Sequence, residues 1–411
     1  MKRRLLALSL STTLLAGTFI GSGSVSANST EQDIVTRGAF IHTIVDQLQL
    51  PLQDQNAVLP QDVSTDSPYA HAIRVMKERK VIYGYGDGTV RLENSLKANE
   101  AYIIIAKILG TNPEVLKNDY GISFAHDMVT LDEAKAAIQK ALVSDPTAHE
   151  WVIKSSEVMD KQDSFKANMT QDMNMVLSQG LPEAPPMNTL NMTMKMEMEF
   201  KKDQGFRIVS NSKLPQPLTT GETEMKMEQY FVKDGMYMKM LNPETNQEEW
   251  MKMGSELPFT FDQMMEMQKN SVAYNQQMNN KYVFYRDLGT EVIDGKEMQK
   301  VSLQGRFTSM QEMLSLAGNL FSGQEMPAAM MEETGLEELR MSGFMWFDLE
   351  TKLPTKLSMQ MDLELAEMPN QPIERMEMKM SGTYTDFNQV DSIVLPEEAK
   401  QAKVIGAAGQ E

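Results

Sequence analysis

Two hydrophobic periods divide the chain. Between residues 39 and 142, apolar positions recur every three or four residues, in AFIHTIVDQLQL (39–50), YAHAIRVMKERKVI (69–82), EAYIIIAKILG (100–110) and DEAKAAIQKAL (132–142). That spacing predicts four amphipathic helices. A further amphipathic stretch over 147–163 predicts a helix that opens the second region. Past residue 164 the period falls to two. NMTMKMEMEF (191–200) alternates Met192, Met194, Met196, Met198 and Phe200 with Thr, Lys and Glu, and EMKMEQYFV, GMYMKM, EWMKM, LSMQMDLEL and RMEMKMSGTY repeat the pattern. Successive strand side chains point to opposite faces, so each segment offers a Met/Leu face and a Lys/Glu face.

Turn residues punctuate both regions. GYGDGTVRL (84–92) demands a tight turn between the second and third helices. Asp234-Gly235, Asn242-Pro243 and Asp294-Gly295 separate strands. The alternating segments predict nine to eleven strands, interrupted by two helical insertions, 260–278 and 308–322, each apolar on one side. The expected fold is multidomain: an all-α N-terminal part, then an α+β open half-barrel of antiparallel strands with covering helices.

Composition sharpens the division. Of 37 Met, 34 follow residue 150, whereas all four His (His42, His71, His126 and His149) precede it. Cysteine is absent, which excludes disulfides, thiolate metal sites, a Cys nucleophile and a lipid-bearing cysteine. A net charge of −18 opposes sequence-independent nucleic-acid binding. The N-terminus combines Lys2, Arg3 and Arg4, an apolar run, and small residues ending at Ala27, the layout of a secretory signal over 1–27. An exported protein with no membrane span in its mature form is expected.

Within the helical region, DVSTDSPYAHAIRVMKERKVIYGYGDGTVRLENSLKANEAYIIIAKILG resembles one complete repeat of the S-layer homology family. It has the leading Asp62-Val63, the aromatic-Ala pair Tyr69-Ala70, the central GYGDGT and an acidic start to the second helix. Residues 35–48 and 129–142 are similar to the closing halves of a preceding repeat and a degenerate third, making about three units over 31–145. The resemblance implies attachment to a secondary cell-wall polymer or peptidoglycan-linked glycan at the surface of a Gram-positive cell. Only the first unit keeps the family's Arg, as Thr36-Arg37; the others read Lys97-Ala98-Asn99-Glu100 and Thr130-Leu131-Asp132-Glu133. The polymer contacts so implied are Arg37, Tyr69, Gly86, Asp87, Gly88, Arg91, Lys97 and Glu100. The same residues also suit turn closure and helix capping.

The region 164–400, joined through a connecting helix over 146–163 and followed by a tail over 401–411, resembles the LolA-like lipoprotein-carrier superfamily. The residues concerned are the hairpin YFVKDGMYMKM with EEWMKM, the hairpin VIDGKEMQKVSL, and MWFDLETKLPTKLSMQMDLEL with its Phe-Asp-x-x-Thr turn. That resemblance implies a cavity for acyl chains. Methionine is unbranched and polarizable and suits a wall that reshapes around an apolar ligand. The contacts expected are Met192, Met194, Met196, Phe200, Met238, Met240, Trp250 and Trp346. A dry core with a protein-binding surface accounts for the same pattern, and thioether pairs suit Cu(I) or an oxidant sink. No metal or cofactor is expected. The Glu197/Glu199 pair sits on a solvated face, no nucleophile elbow, zinc helix or phosphate loop occurs, and no His follows residue 149, so a non-enzymatic protein is expected.

Overall fold

The structure is a computed structural model that describes residues 33–54, 57–178, 188–214, 223–242, 247–253, 261–262, 265, 281–317, 335–366 and 373–405. The expected signal sequence lies outside them, as do Pro243 and nearly all of the 260–278 insertion. The chain divides into two compact units, 1–104 with 123–138, and 105–122 with 139–411.

The four expected helices of the first region form α1 (Arg37–Leu48), α2 (Ala70–Glu78), α3 (Ala98–Leu109) and α5 (Leu131–Leu142), with a short α4 (Pro113–Asn118) not foreseen. Thr36 caps α1 by accepting from the Ala39 amide at 3.2 Å. Phe40, Ile41, Ile44, Ile73, Met76 and Leu96 are among the fully buried side chains of the first unit's core.

The expectation of an all-α repeat domain is not met. Isolated antiparallel bridges pair Ile34 with Thr130, Thr36 with Ser95 and Lys97 with Met128. Their backbone bonds run in a cycle, from Val35 N to Val129 O (3.0 Å), from Val129 N to Leu96 O (2.9 Å) and from Leu96 N to Val35 O (2.9 Å). Three extended segments of about three residues meet there, each just ahead of a helix. Segments so short leave no periodic trace in a sequence.

The expected half-barrel under covering helices is also corrected: the dominant feature is one open sheet of twelve strands with few helices. A first meander comprises β1 (Ser164–Leu177), β2 (Thr189–Lys201), β3 (Gly205–Leu214), β4 (Thr223–Val232), β5 (Gly235–Asn242) and β6 (Gln247–Met253). A second comprises β7 (Val283–Ile293), β8 (Lys296–Phe307), β9 (Leu336–Asp348), β10 (Pro354–Leu365) and β11 (Ile373–Thr385). Antiparallel pairing of β1 with β11 joins them, and β12 (Lys403–Ile405) adds in parallel to β6. Of the two predicted insertions, the described residues contain the eight-residue α7 (Met310–Ala317). The fold class is corrected by the sheet itself: a single open sheet of twelve strands, mostly antiparallel, in place of a half-barrel.

Local turn chemistry follows expectation. Asp294 (φ 51°) and Gly295 (φ 78°) both take the positive φ of a two-residue hairpin turn. The Asp348 carboxylate closes the β9–β10 turn by accepting from the Glu350 and Thr351 amides, at 3.0 and 2.7 Å.

Part of the β7 edge is covered. Asp145 N donates to Tyr285 O (2.9 Å), Tyr285 N to Ser144 Oγ (3.0 Å) and Asp287 N to an Asp145 carboxylate oxygen (2.9 Å), which occupies the pairing edge at 285–287. The chain then enters α6 (Pro146–Met159), the predicted opening helix. Its Trp151 stacks on Phe347 with ring centroids 6.1 Å apart, and its Met159 joins the cluster around Phe165 and Phe200. On the other side of the sheet, Gln304 Nε2 donates to Leu109 O (3.1 Å) and Arg306 Nη1 to Lys107 O (2.8 Å). Strand β8 is therefore buried on both faces over most of its length.

Candidate functional site

Strand register decides which side chains share a face. Met173 of β1 lies opposite both Met192 of β2 and Met378 of β11; Met378 lies opposite Met361 of β10, and Met361 opposite Met341 of β9. Met196 likewise faces Met169, and Met238 faces Met251. Among the described residues, every methionine of β1–β6 and β9–β11 falls on this one face, and each is half-buried where its burial is described. Met298 of β8 is on the other face, opposite Asp348.

Glycines make room for the long side chains. A Cβ at Gly382 would sit 2.9 Å from Met169 Cγ, and one at Gly305 would sit 3.0 Å from Met341 Cγ. At Gly343, which Met359 covers, it would meet Ser358 O at 2.5 Å. Thioethers from neighbouring strands thus lie across the glycines, forming a continuous, flexible apolar layer.

Met192, Met194, Met196, Phe200, Met238 and Met240 share this layer, as expected. Trp250 and Trp346 do not. Trp250 lies opposite Lys239 and packs with Tyr230 (centroids 5.8 Å apart) and the C-terminal residues Leu395 and Ala402. Trp346 lies opposite Lys300 and donates from Nε1 to Glu291 at 2.9 Å. Each neighbours a methionine in sequence, and strand neighbours face opposite ways.

The face away from the methionines carries paired charges. Glu199 meets Lys166 at 3.0 Å and Arg207 at 3.2 Å, and the buried Arg306 meets Glu338 at 2.7 Å. Burial would raise the Asp348 pKa, but Lys296 and the turn's N–H and hydroxyl donors outweigh it and hold the carboxyl well below the usual range.

This face also holds a cleft of about 390 Å³, bounded on one side by β8–β11 and β1 and on the other by Thr111, Val115, Asp119 and Tyr120. Two rows of directly opposed residues cross its floor. One runs Gln304, Ser342, Gln360, Lys379 and Asp172; the other runs Ser302, Phe344, Ser358, Ser381 and Thr170. The cleft is closed at β8, where Ser302 and Gln304 are buried, and open at β1 and β11, where Asp172 and Lys379 are exposed. None of the side chains singled out from the sequence lines it. Burial pushes the Tyr120 phenol up to about 12, against the Arg286 guanidinium 5.3 Å from its ring, so Tyr120 stays a neutral hydroxyl.

In the first unit, the residues proposed for polymer contact gather around one that the sequence reading missed, Tyr85. The guanidinium carbons of Arg37 and Arg91 lie 4.9 and 4.0 Å from its ring centroid. Arg37 pairs with Glu100 and donates to Val90 O at 2.8 Å; Tyr85 OH donates to Glu100 at 3.2 Å. Arg91 pairs with Asp87 at 2.9 Å. The Thr89 hydroxyl, followed by Arg91, holds the Asp87 carboxyl well below the usual range. Gly88 (φ 79°) serves the turn, and Gly86 beside it stands in open space. Lys97 contributes its backbone, donating to Glu100 at 3.2 Å. Tyr69 lies against Gly38, where a Cβ would meet its ring at 2.8 Å. Aromatic-turn residues such as Tyr85 lie inside the GYGDGT motif, and the motif was the available signal.

Among the described residues, no cluster of His, Asp and Glu could hold a metal ion, and no helix is long and apolar enough to cross a membrane.

Solved structures with a similar arrangement include LprF from Mycobacterium bovis, at 12% identity over 62% of this chain and 99% of that one, with a TM-score of 0.31. A putative outer membrane lipoprotein-sorting protein domain from Vibrio parahaemolyticus matches at 9% over 62% and 97%, with a TM-score of 0.21. Lipovitellin matches at 8% over 57% and 26%, with a TM-score of 0.23. At these scores no ligand or role is carried over. No curated protein matches the chain. A family model described as "Family of unknown function (DUF6612)" matches residues 147–404, more than half of the chain, and the chain belongs to that family.

Proposed function

We propose that this is a non-enzymatic, exported cell-envelope protein whose methionine face binds a lipid-like or other apolar ligand. The observation that supports it is the alignment of half-buried thioethers on one face across β1–β6 and β9–β11. A dry core would bury these side chains, whereas they keep part of their surface available. Contiguous apolar surface of this kind is where ligands and partners bind. Covering it gains about 25 cal/mol per Å² of apolar area removed from water. Unbranched side chains accommodate ligands of irregular shape without a fixed pocket. The pairing of Glu199 and Glu228 with Lys166 and Arg207 supports a solvated, non-catalytic role for those carboxylates.

Native mass spectrometry after detergent-free secretion tests this reading. Co-purified lipid, or stoichiometric uptake of a fluorescent fatty acid, is expected. A clean apo mass with no uptake would leave an interaction protein without an apolar ligand.

The proposal extends to retention at the cell surface through the Arg37–Tyr85–Arg91 cluster, where acidic groups of a wall polymer would compete with Glu100 for the largely buried Arg37 and with Asp87 for the half-exposed Arg91. A sedimentation assay on purified cell walls should show reduced retention for Arg37→Ala combined with Arg91→Ala. Equal retention would remove the cluster from the role.

A further inference from the structure

We infer that the cleft on the sheet face opposite the methionines is a binding site for a neutral saccharide of one or two residues. Most of the cleft's polar lining comes from the face of β8–β11 and β1 opposite the methionines, and Leu303, Gly343, Met359 and Met380 of those strands also border it. Its volume of about 390 Å³ falls within the range of roughly 300–1,000 Å³ typical of small-molecule sites.

The lining selects the ligand's chemistry. Hydroxyls at Ser302, Ser342, Ser358 and Ser381 can donate and accept, and the amides of Gln304 and Gln360, whose Nε2 groups donate to Leu109 and Gly110 and to Asp362 and Glu377, add acceptor oxygens. Sugar hydroxyls require that mixture. An apolar ligand would strand these groups without partners, at a cost that rises with burial.

Among the described residues of the lining Lys379 is the only cation, paired with Glu377 at 3.0 Å, and Asp119 and Asp172 add negative charge; the buried Arg286, opposite Ser302 and 5.3 Å from the Tyr120 ring, lies behind the lining. Phe344 lies in the same row as Ser302 and Ser358 and supplies an apolar ring for the C–H face of a sugar. Neighbouring strands repeat at about 4.8 Å, so the polar groups of each row are regularly spaced across the floor.

A second observation points to a missing partner. Ser302 Oγ, at the closed end, is buried and makes no hydrogen bond, although buried hydroxyls normally have one. A ligand hydroxyl reaching the end of the cleft would satisfy it. Gln304 next to it is held by the carbonyls of Leu109 and Gly110, at 3.1 and 3.5 Å, so that end is fixed before a ligand arrives.

Isothermal titration of the full chain with N,N′-diacetylchitobiose and with maltose, in the millimolar range expected of weak saccharide sites, tests the inference. At least one disaccharide should bind saturably. Ser358→Leu, which fills the floor, and Gln360→Ala, which removes the side-chain amide without adding bulk, should each weaken binding at least tenfold while uptake of a fluorescent fatty acid stays unchanged. Gln360→Ala alone decides the matter if Ser358→Leu does not fold. Absence of saturable binding to either disaccharide, or binding that Gln360→Ala leaves unaltered, would overturn the inference. Fatty-acid uptake reports separately on the methionine face.

Discussion

The two faces of the sheet are built on opposite principles. One repeats a single flexible residue type over most of its strands, with glycines beneath the longest contacts. The other assigns each position a particular partner: Arg306 to Glu338, Glu199 to Lys166 and Arg207, Gln304 to the Leu109 carbonyl. One backbone can therefore carry an adaptable surface and a specified one at once, because alternate residues on a strand are independent in what they touch.

The sharpest break in that comparison is expected on the specified face. Glu338→Ala leaves the Arg306 guanidinium buried without its carboxylate and should cost about 3–5 kcal/mol, read from the shift in denaturant midpoint at constant m-value. A loss near zero would place that face in the same tolerant class as the methionine layer.

On the methionine face the vulnerable positions should be the glycines. Gly343→Ala drives a methyl group to within 2.5 Å of Ser358 O, a backbone atom that cannot rotate away. The expected cost is about 1–3 kcal/mol, measured in the same way. Met194→Leu, by contrast, keeps volume at a half-buried position and should cost less than about 1.5 kcal/mol. If Met194→Leu proved as damaging as Gly343→Ala, the layer would be a rigid core rather than an adaptable one.

The smallest expected effect is a pH dependence. Because the Asp348 carboxyl is depressed in the folded protein, its contribution to stability is complete above its unfolded value of about 3.8 and is lost as pH falls from there toward the folded value. Asp348→Asn should flatten the stability profile below about pH 4 and leave its slope at neutral pH unchanged. A change of slope near pH 7 would assign the effect to another group.

Much of the methionine face was legible in the sequence, since a period of two states which residues lie together even before strand order is known. Met192, Met194 and Met196 needed no tertiary information. Trp250 and Trp346 were misplaced by proximity, although their parity beside Met251 and Met345 already put them on the other side. The saccharide cleft was illegible for a different reason: its floor gathers residues from five strands and its other wall comes from 111–120, far away in sequence. Its residue types, Ser, Thr and Gln, also read as ordinary solvated positions. In the first unit the helices were visible as stripes, whereas the Val35–Leu96–Val129 hydrogen-bond cycle was not, because it occupies segments too short to show a period.

The central claim, that the thioether layer receives an apolar ligand, is tested most directly by methyl NMR on protein labelled at the methionine ε-carbons during titration with a fatty acid. Saturable shifts are expected at Met192, Met194 and Met196, with Met298, buried on the opposite face, unmoved. Shifts absent from the layer at saturating fatty acid, or equal at Met298, would contradict it.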